Sequence, residues 1–324
     1  MTHAIYIEKN GGPEVLIYKE AAIAKPGPNE VCLRHTAIGL DYIDVYHRTG
    51  LYPVPTPFIP GLEGAGIIEE LGDNVSAFNV GDRVCYPAGP LGSYSQARIM
   101  PAARLVKTPD YLSDEDAAAI MLKGCTVEYL IYRTYGVKKG DTVLFHAAAG
   151  GVGLLACQWL NALGVTVIGT VGSDEKAALA KKSGCHHTIN YTTENFPERV
   201  RDITNGKGVP VVYDSVGKDT FMGSLDCLQT RGTMVTFGNA TGAVPPFEPG
   251  LLNQKGGLYI TRPSLMHYVA SQEDLTLSTG RVFEAVKSGA LKVSINQRFD
   301  LKDAADAHRA LEARKTTGQT ILIP

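Results

Sequence analysis

Hydrophobic and polar positions change rhythm twice along this chain. From residue 1 to about 123 the apolar residues come in short runs, EVCLRHTAI (30–38), GAGIIEEL (64–71) and DRVCYPA (82–88) among them, with turns at Pro26-Gly27-Pro28 and Gly81-Asp82. Such runs bounded by turn residues predict short β-strands. The segment SDEDAAAIMLKGCTVEYLIYRTYG reads differently. Ser113 followed by Asp116 predicts an N-cap and a helix, and a second helix runs to about Tyr135 before Gly136.

From residue 141 apolar strands and helical stretches alternate. Strand TVLFHA leads to a helix at 151–163, then strand VTVIGTV and helix DEKAALAKKSG. Next come HHTIN, a helical stretch near 197–204, strand VPVVYDSVG, a helix at 219–229 and strand GTMVTFGN. A further apolar run, LYITRPS (258–264), precedes helices near 274–288 and 302–314 and a last strand, TILIP. Near-continuous apolar strands separated by helices predict a parallel sheet covered on both faces. The expected fold class is α/β: a Rossmann doubly wound sheet plus a second, β-rich domain. The boundaries read as 1–123, 124–264, and a tail at 265–324 that returns to the first domain.

Composition narrows the function classes. The 324 residues are 44% hydrophobic and 20% charged with a formal net charge of −2, and the pI is about 6.5. That balance gives no basic surface for nucleic acid or anionic lipid. No apolar span approaches the roughly 20 residues of a membrane helix, and the start, MTHAIYIEKNGG, has no apolar signal core, so a cytoplasmic protein is expected. The six scattered cysteines form no CxxC pair and read as buried free thiols.

The stretch FHAAAGGVGLLACQWL places a glycine-rich turn between a strand and a helix. Glycines there let the backbone approach a pyrophosphate, whose charge meets the positive end of the helix dipole. Ala148, Gly150 and Gly153 hold the three positions of the GxGxxG spacing, with Ala149, Gly151 and Val152 between them. Tight helix–strand packing also selects small residues, but the downstream βα units favour dinucleotide binding. An acid at the tip of the second strand would mark NAD. Here the tip is Gly172 and Ser173, with Asp174 and Glu175 falling in the next helix, so a 2′-phosphate finds room, a hydroxyl at Ser173 and a cation at Lys176. NADPH is the expected cofactor; an N-cap for Ser173 and a solvated charge for Lys176 are the plainer readings.

The segment GDTVLFHAAAGGVGLLACQW (140–159) resembles the signature of the quinone oxidoreductase (zeta-crystallin) branch of the medium-chain dehydrogenase/reductases. NGGPEVL (10–16), IDVYHRTGLYP (43–53), GLEGAG (61–66), VGDRV (80–84), VYDSVG (212–217), FGNATG (237–242) and LNQKGGLYITRPSL (252–265) resemble it too, so the likeness spans nearly the whole chain. It is most similar to the bacterial NADPH:quinone reductases. The resemblance implies a GroES-like N-terminal domain and a homodimer, with the strand at 258–262 as one possible interface. Two positions depart from the pattern. Asn161 stands where Lys, Arg or Ser is usual, and Asp41 where relatives carry an Asn that approaches the nicotinamide ribose or amide.

The resemblance also bears on metal. The zinc branch carries a GHE motif, and Gly61-Leu62-Glu63 replaces its His with an apolar residue. No Cys ligand occurs around Gly39–Asp44, and no cysteine cluster occupies 85–125. No metal is expected, with Glu63 a structural hydrogen-bond acceptor. Without a strong Lewis acid the favoured hydride acceptor is a quinone or a conjugated enone or enal.

Tyr46 and Tyr52 flank HRTGL, which in relatives faces the nicotinamide; each could stack on a quinone and donate to its oxygen, or simply pack at a loop. His47 reads as a surface residue. The resemblance places Thr126, at the start of a linking helix, on the nicotinamide ribose or phosphate, where capping serves as well. It places Tyr191 near the adenine and Arg314 near the phosphate end of NADPH. Phe237, Gly238 and Asn239 end the fifth strand, where ligands gather in open α/β sheets, with Asn239 as a cofactor contact and Phe237 as core. A half-buried strand-end Tyr191 and an exposed helix-terminal Arg314 are the alternatives. Arg262 is left open. The expected function is metal-free hydride transfer from NADPH to a quinone, with enal or enone reduction and a low-turnover NADPH-binding regulator as rivals.

Overall fold

The computed structural model describes residues 2–324. Its first third holds β1 (Thr2–Ile7), β2 (Leu16–Ala21), β3 (Glu30–Gly39), α1 (Tyr42–Thr49), β4 (Gly64–Leu71), β5 (Arg83–Tyr86), β6 (Ala97–Pro101) and β7 (Val106–Lys107). α2 (Asp114–Glu128) follows, then β8 (Thr142–Phe145), α3 (Gly151–Ala162), β9 (Thr166–Val171), α4 (Asp174–Lys182) and β10 (His187–Asn190). The chain continues through α5 (Phe196–Ile203), β11 (Val209–Asp214), α6 (Phe221–Cys227), β12 (Leu228–Thr236), α7 (Gly250–Gln254) and β13 (Tyr259–Thr261). It ends with α8 (Leu265–Tyr268), α9 (Gln272–Lys287), β14 (Ile295–Asp300), α10 (Ala304–Glu312) and β15 (Gln319–Ile323).

Three local readings of the sequence need correction. α1 is a helix where strands and turns were expected; Asp41 and Asp44 start it as a reciprocal capping box, and Gly50 ends it in the left-handed region. The two helices expected over 113–135 are one, α2, continued by a π-helical stretch at Tyr129–Thr134. Gly124 does not break it, because a Cβ there would lie 3.0 Å from Val282 Cγ1: this glycine marks a close helix contact. Thr126 therefore lies inside α2 rather than at a helix start. β14 was not foreseen, since its alternation of half-buried and exposed residues has little apolar content.

The chain folds as two units. The first comprises Met1–Cys125, Tyr268–Lys287 and Val293–Pro324; the second comprises Thr126–His267 and Ser288–Lys292. In the first unit a seven-stranded sheet runs β14-β15-β3-β4-β5-β7, with β6 also on β3, beside the β1–β2 hairpin. One core gathers Val31, Leu33, Ile68, Val84, Tyr86 and Met100. Another joins Ile5, Ile7 and Ile38 to Leu301 and Leu322 of the C-terminal return. A buried polar chain reinforces that return. Tyr94 Oη donates to Asp44 Oδ2 (2.9 Å) and lies 3.1 Å from His308 Nε2, while Arg48 Nη1 sits 2.9 Å from His308 Nδ1. Arg48, 1% exposed, then pairs with Glu312 through two bonds of 2.9 and 2.7 Å.

In the second unit all six strands are parallel, in the order β10-β9-β8-β11-β12-β13. Leu144, Ile168, Val212, Phe221, Leu225 and Met234 fill its core. Successive connections leave β8 in one direction and β11 in the other. The carboxyl ends of β8 and β11 therefore form the switch point where open α/β sheets bind ligands.

Glu312→Ala should cost about 3 kcal/mol in denaturant unfolding, because it leaves the Arg48 guanidinium buried and uncompensated. Burial also holds His35 and His308 neutral, each pushed down to about 3. Bases depressed in the folded state bind protons first in the unfolded chain, so stability is full above the ordinary histidine range. It should fall between about pH 6.5 and 3, by on the order of 1.4 kcal/mol per pH unit per histidine. Thermal unfolding across that range checks this, and His308→Gln should flatten the slope.

Candidate functional site

The glycine-rich turn sits at the switch point. β8 ends at Phe145 and α3 begins at Gly151, with Gly150 as its N-cap. Ala147 adopts the left-handed region (φ 54), and Gly150 N–H donates to Ala147 O at 2.9 Å, folding the turn back on itself. Ala148 and Ala149 are buried. A Cβ on Gly153 would stand 2.3 Å from Ala147 O and 2.7 Å from Ala148 Cα, so only glycine allows α3 to start so near the strand end. Gly151, Val152 and Gly153 form the first turn, which carries no acidic side chain. The positive end of the helix favours an anion at this switch point.

Below the turn lies a network that sequence reasoning missed. His146 is fully buried, with Nδ1 2.9 Å from Thr170 Oγ1 and Nε2 2.9 Å from Ser224 Oγ. Ser224 Oγ and Thr220 Oγ1 donate to Asp214 Oδ2 (2.9 and 2.7 Å), and Val216 N and Gly217 N donate to Asp214 Oδ1 (2.7 and 3.0 Å). The ends of β8, β9 and β11 are thus cross-linked beneath the ligand-facing loops. Burial keeps His146 below its ordinary pKa.

At the end of β9, Gly172 faces Tyr191: a Cβ there would fall 2.6 Å from the tyrosine Oη. Ser173 is the N-cap of α4 and accepts from Lys176 N at 3.3 Å. Its hydroxyl also bonds Glu175, holding that carboxyl below its usual range. The capping role is therefore real, and a ligand phosphate would compete for the hydroxyl proton. Past β12, a Cβ on Gly238 would lie 2.4 Å from Ser215 O, so packing alone requires that glycine. Arg262 Nη1 donates to Thr236 Oγ1 (3.0 Å) and Gly238 O (2.9 Å). The Asn239 amide, oriented to satisfy its neighbours, donates to Gly238 O (2.9 Å) and accepts from Arg262 Nη2 (3.2 Å). Asn239, Arg262, Thr236 and Phe247 border a cavity of about 670 Å³ at this end of the sheet. Arg262 is thus the scaffold of the 236–239 corner.

The first unit carries the remaining candidates. Tyr46 is buried, its ring centroid 5.4 Å from Tyr42 and 4.9 Å from Tyr52, which is half-buried. His47 is not at the surface as expected: it is half-buried, and burial pushes its pKa down to about 4, so it is neutral at pH 7. Arg314 is exposed just past α10, with φ 57. Thr126 is buried in α2.

The residue most conspicuously missed is Lys123. Its ammonium, in a side chain 7% exposed, lies 2.8 Å from Asp41 Oδ1 and 2.6 Å from Glu63 Oε1. Leu122 N donates to Glu63 Oε2 at 2.6 Å. The signal was present in AAAIMLKGC, where one lysine interrupts a run whose neighbours Ala117–Met121 and Cys125 are all buried. Among the described residues no group of three or more His, Cys, Asp or Glu is placed to hold a metal ion. With Leu62 apolar and both carboxylates on Lys123, this donor set does not fit a zinc ion.

Fold and site together define a two-domain, nicotinamide-type oxidoreductase architecture. Comparison with known proteins agrees. A zinc-binding dehydrogenase family model matches residues 151–273, and an alcohol dehydrogenase GroES-like domain model matches 27–110. A quinone oxidoreductase of Pseudomonas aeruginosa is 52% identical, with 100% of each chain covered. The solved structure of Escherichia coli quinone oxidoreductase complexed with NADPH superposes with a TM-score of 0.98 at 49% identity, covering 99% of this chain and 100% of that one. A 2-haloacrylate reductase of a Burkholderia species is 47% identical over 100% of this chain and 99% of its own length. The chain belongs to the quinone oxidoreductase family of the medium-chain dehydrogenase/reductases.

Gly153→Ala should both destabilise the chain, by about 2–4 kcal/mol through the backbone clash, and abolish measurable dinucleotide binding. Thermal unfolding together with calorimetric titration checks it; binding at wild-type strength would contradict the assignment of this turn.

Proposed function

We propose that the chain is an NADPH-dependent quinone reductase that works without a metal. The observation that carries this reading is a glycine-rich turn set at the sheet's switch point, in a chain 52% identical along its whole length to a quinone oxidoreductase. Bound NADPH would supply the hydride, and the chain's residues would bind, orient and exclude water. In this reading residues 124–264 hold the cofactor, while 1–123, GroES-like, and the return at 265–324 present the acceptor.

Ala148, Ala149, Gly150, Gly151, Val152 and Gly153 would take the diphosphate at the positive end of α3. Gly172, Ser173 and Lys176 would receive the 2′-phosphate, with Tyr191 against the adenine. Gly238 and Asn239, braced by Arg262, would line the nicotinamide end. Asp41 and Thr126 would meet its ribose or amide, and Arg314 would answer a phosphate. Tyr46 and Tyr52 would stack on the quinone and donate a phenolic proton to the oxygen gaining charge.

We propose a homodimer through β13, the exposed edge of the parallel sheet, where Tyr259 is 62% exposed. Six free, buried thiols favour a reducing, cytoplasmic setting. A second reading, reduction of a conjugated carbon–carbon double bond, is favoured by the 47% identity to a 2-haloacrylate reductase.

The test is NADPH oxidation, followed by its near-ultraviolet absorbance, with 1,4-benzoquinone, an enal or 2-chloroacrylate as acceptor and NADH run beside it. Saturable quinone turnover favouring NADPH is expected. Turnover of the alkenes alone would shift the assignment to the second reading, and binding without turnover of any acceptor would defeat both. Lys176→Ala should weaken NADPH about fivefold and leave NADH unchanged, the worth of one exposed charge pair.

A further inference from the structure

Within the first unit one buried positive charge has no negative partner. Arg98, on β6, is only 9% exposed. Its Nη2 donates to Pro90 O at 2.9 Å and to Leu91 O at 3.0 Å. Nε and Nη1 are buried and meet no hydrogen-bond partner, so among the described residues no carboxylate takes any of its N–H groups. The polar groups around it are neutral. Tyr86, whose ring centroid lies 5.8 Å from Arg98 Cζ, has its hydroxyl 2.7 Å from His35 Nε2 and 2.9 Å from Ser93 Oγ. His35 Nδ1 donates to Ser95 O at 2.7 Å, and burial, then the Arg98 charge, push this histidine down to about 3. The loop that accepts from Nη2 is shaped around the guanidinium: Gly92 has φ 133, and a Cβ there would stand 3.2 Å from Arg98 Cζ. A buried charge with only neutral neighbours is costly until a counter-ion joins it.

Arg98 borders a cavity of about 430 Å³ whose other side chains are mostly apolar, Ile23, Phe58, Ile59 and Ile99 among them. All of these residues lie in the first unit. Cavities of this size and lining, with one well-placed polar group, suit small organic ligands. We propose that this cavity binds a small monocarboxylate with an apolar body, its carboxylate pairing with the Arg98 guanidinium and its body lying on the apolar lining. A carboxylate answers both the charge and the unmet N–H groups. A bare inorganic anion would lose its water without gaining anything from the apolar walls. The site shares no residue with the candidate cofactor and quinone positions, so it stands independently of the reductase reading.

The experiment is calorimetric titration of the full chain with sodium benzoate, benzyl alcohol and sodium phosphate, for wild type, Arg98→Met and Ile23→Asp. Benzoate should bind wild type at one site. Benzyl alcohol, a similar body without the charge, and phosphate, a charge without the body, should each bind at least about tenfold more weakly. Arg98→Met keeps the length of the side chain without its charge and should weaken benzoate by about tenfold or more. Ile23→Asp sets a like charge at a lining position that is 37% exposed, so it should weaken benzoate too, and it decides the matter if Arg98→Met does not fold. Phosphate or benzyl alcohol binding as tightly as benzoate overturns the proposal. So does benzoate binding that these substitutions leave unmoved, or an absence of benzoate binding to wild type.

Discussion

One ammonium group organises the first unit around the candidate site. Lys123 reaches from α2 to the residue that caps α1 and to the residue that precedes β4. The approach is so close that a Cβ on Gly39 would stand 2.1 Å from Glu63 Oε1 and 2.4 Å from Ala118 O. Apolar packing alone would be cheaper, because taking three charges out of water costs several kcal/mol per ion before their attraction is counted. A contact kept despite that cost fixes direction as well as position: it aims the start of α1, and hence the tyrosines along it, with the specificity of paired charges.

The same contact differs in kind from a metal site. A zinc dehydrogenase places a divalent cation among its ligands to polarise a carbonyl. Here the positive charge between the carboxylates is covalently part of the chain, monovalent and strongly hydrogen-bonded. A lysine so held cannot act as a comparable Lewis acid. In the second unit the scaffold is more conservative: a buried His146–Ser224–Asp214 network and a turn crowded to backbone contact position amides rather than reactive side chains.

Much of this was legible in the sequence, and for identifiable reasons. Parallel strands buried on both faces read as unbroken apolar runs, so β8 through β12 could be placed from pattern alone. The HAAAGGVG turn was legible because a backbone crossing admits only small residues. α1 was not, since eight residues starting from an Asp carry too little periodicity to be told from a loop among strands. Lys123 and Asp214 were passed over for a related reason. Their significance lies in partners 60 and 10 residues away, such as Glu63 and Ser224, and spacing along the chain does not announce such pairs. Asp41 was singled out only as a departure from its relatives; its link to Lys123 needed the fold.

The placement of β15 has a consequence for how the molecule is made. This strand enters the interior of the seven-stranded sheet, pairing with β3 on one side and β14 on the other. β3 belongs to the early part of the chain, and the whole six-stranded unit is threaded between them. During synthesis the parallel sheet can therefore emerge and close as a continuous piece. In its companion, β3, already flanked by β4 and, at Glu30–Arg34, by β6, keeps Ile38 and Gly39 open until β15 is made. An open strand edge is a template for association with other chains. The nascent first unit is thus the part of this protein whose sheet is completed last.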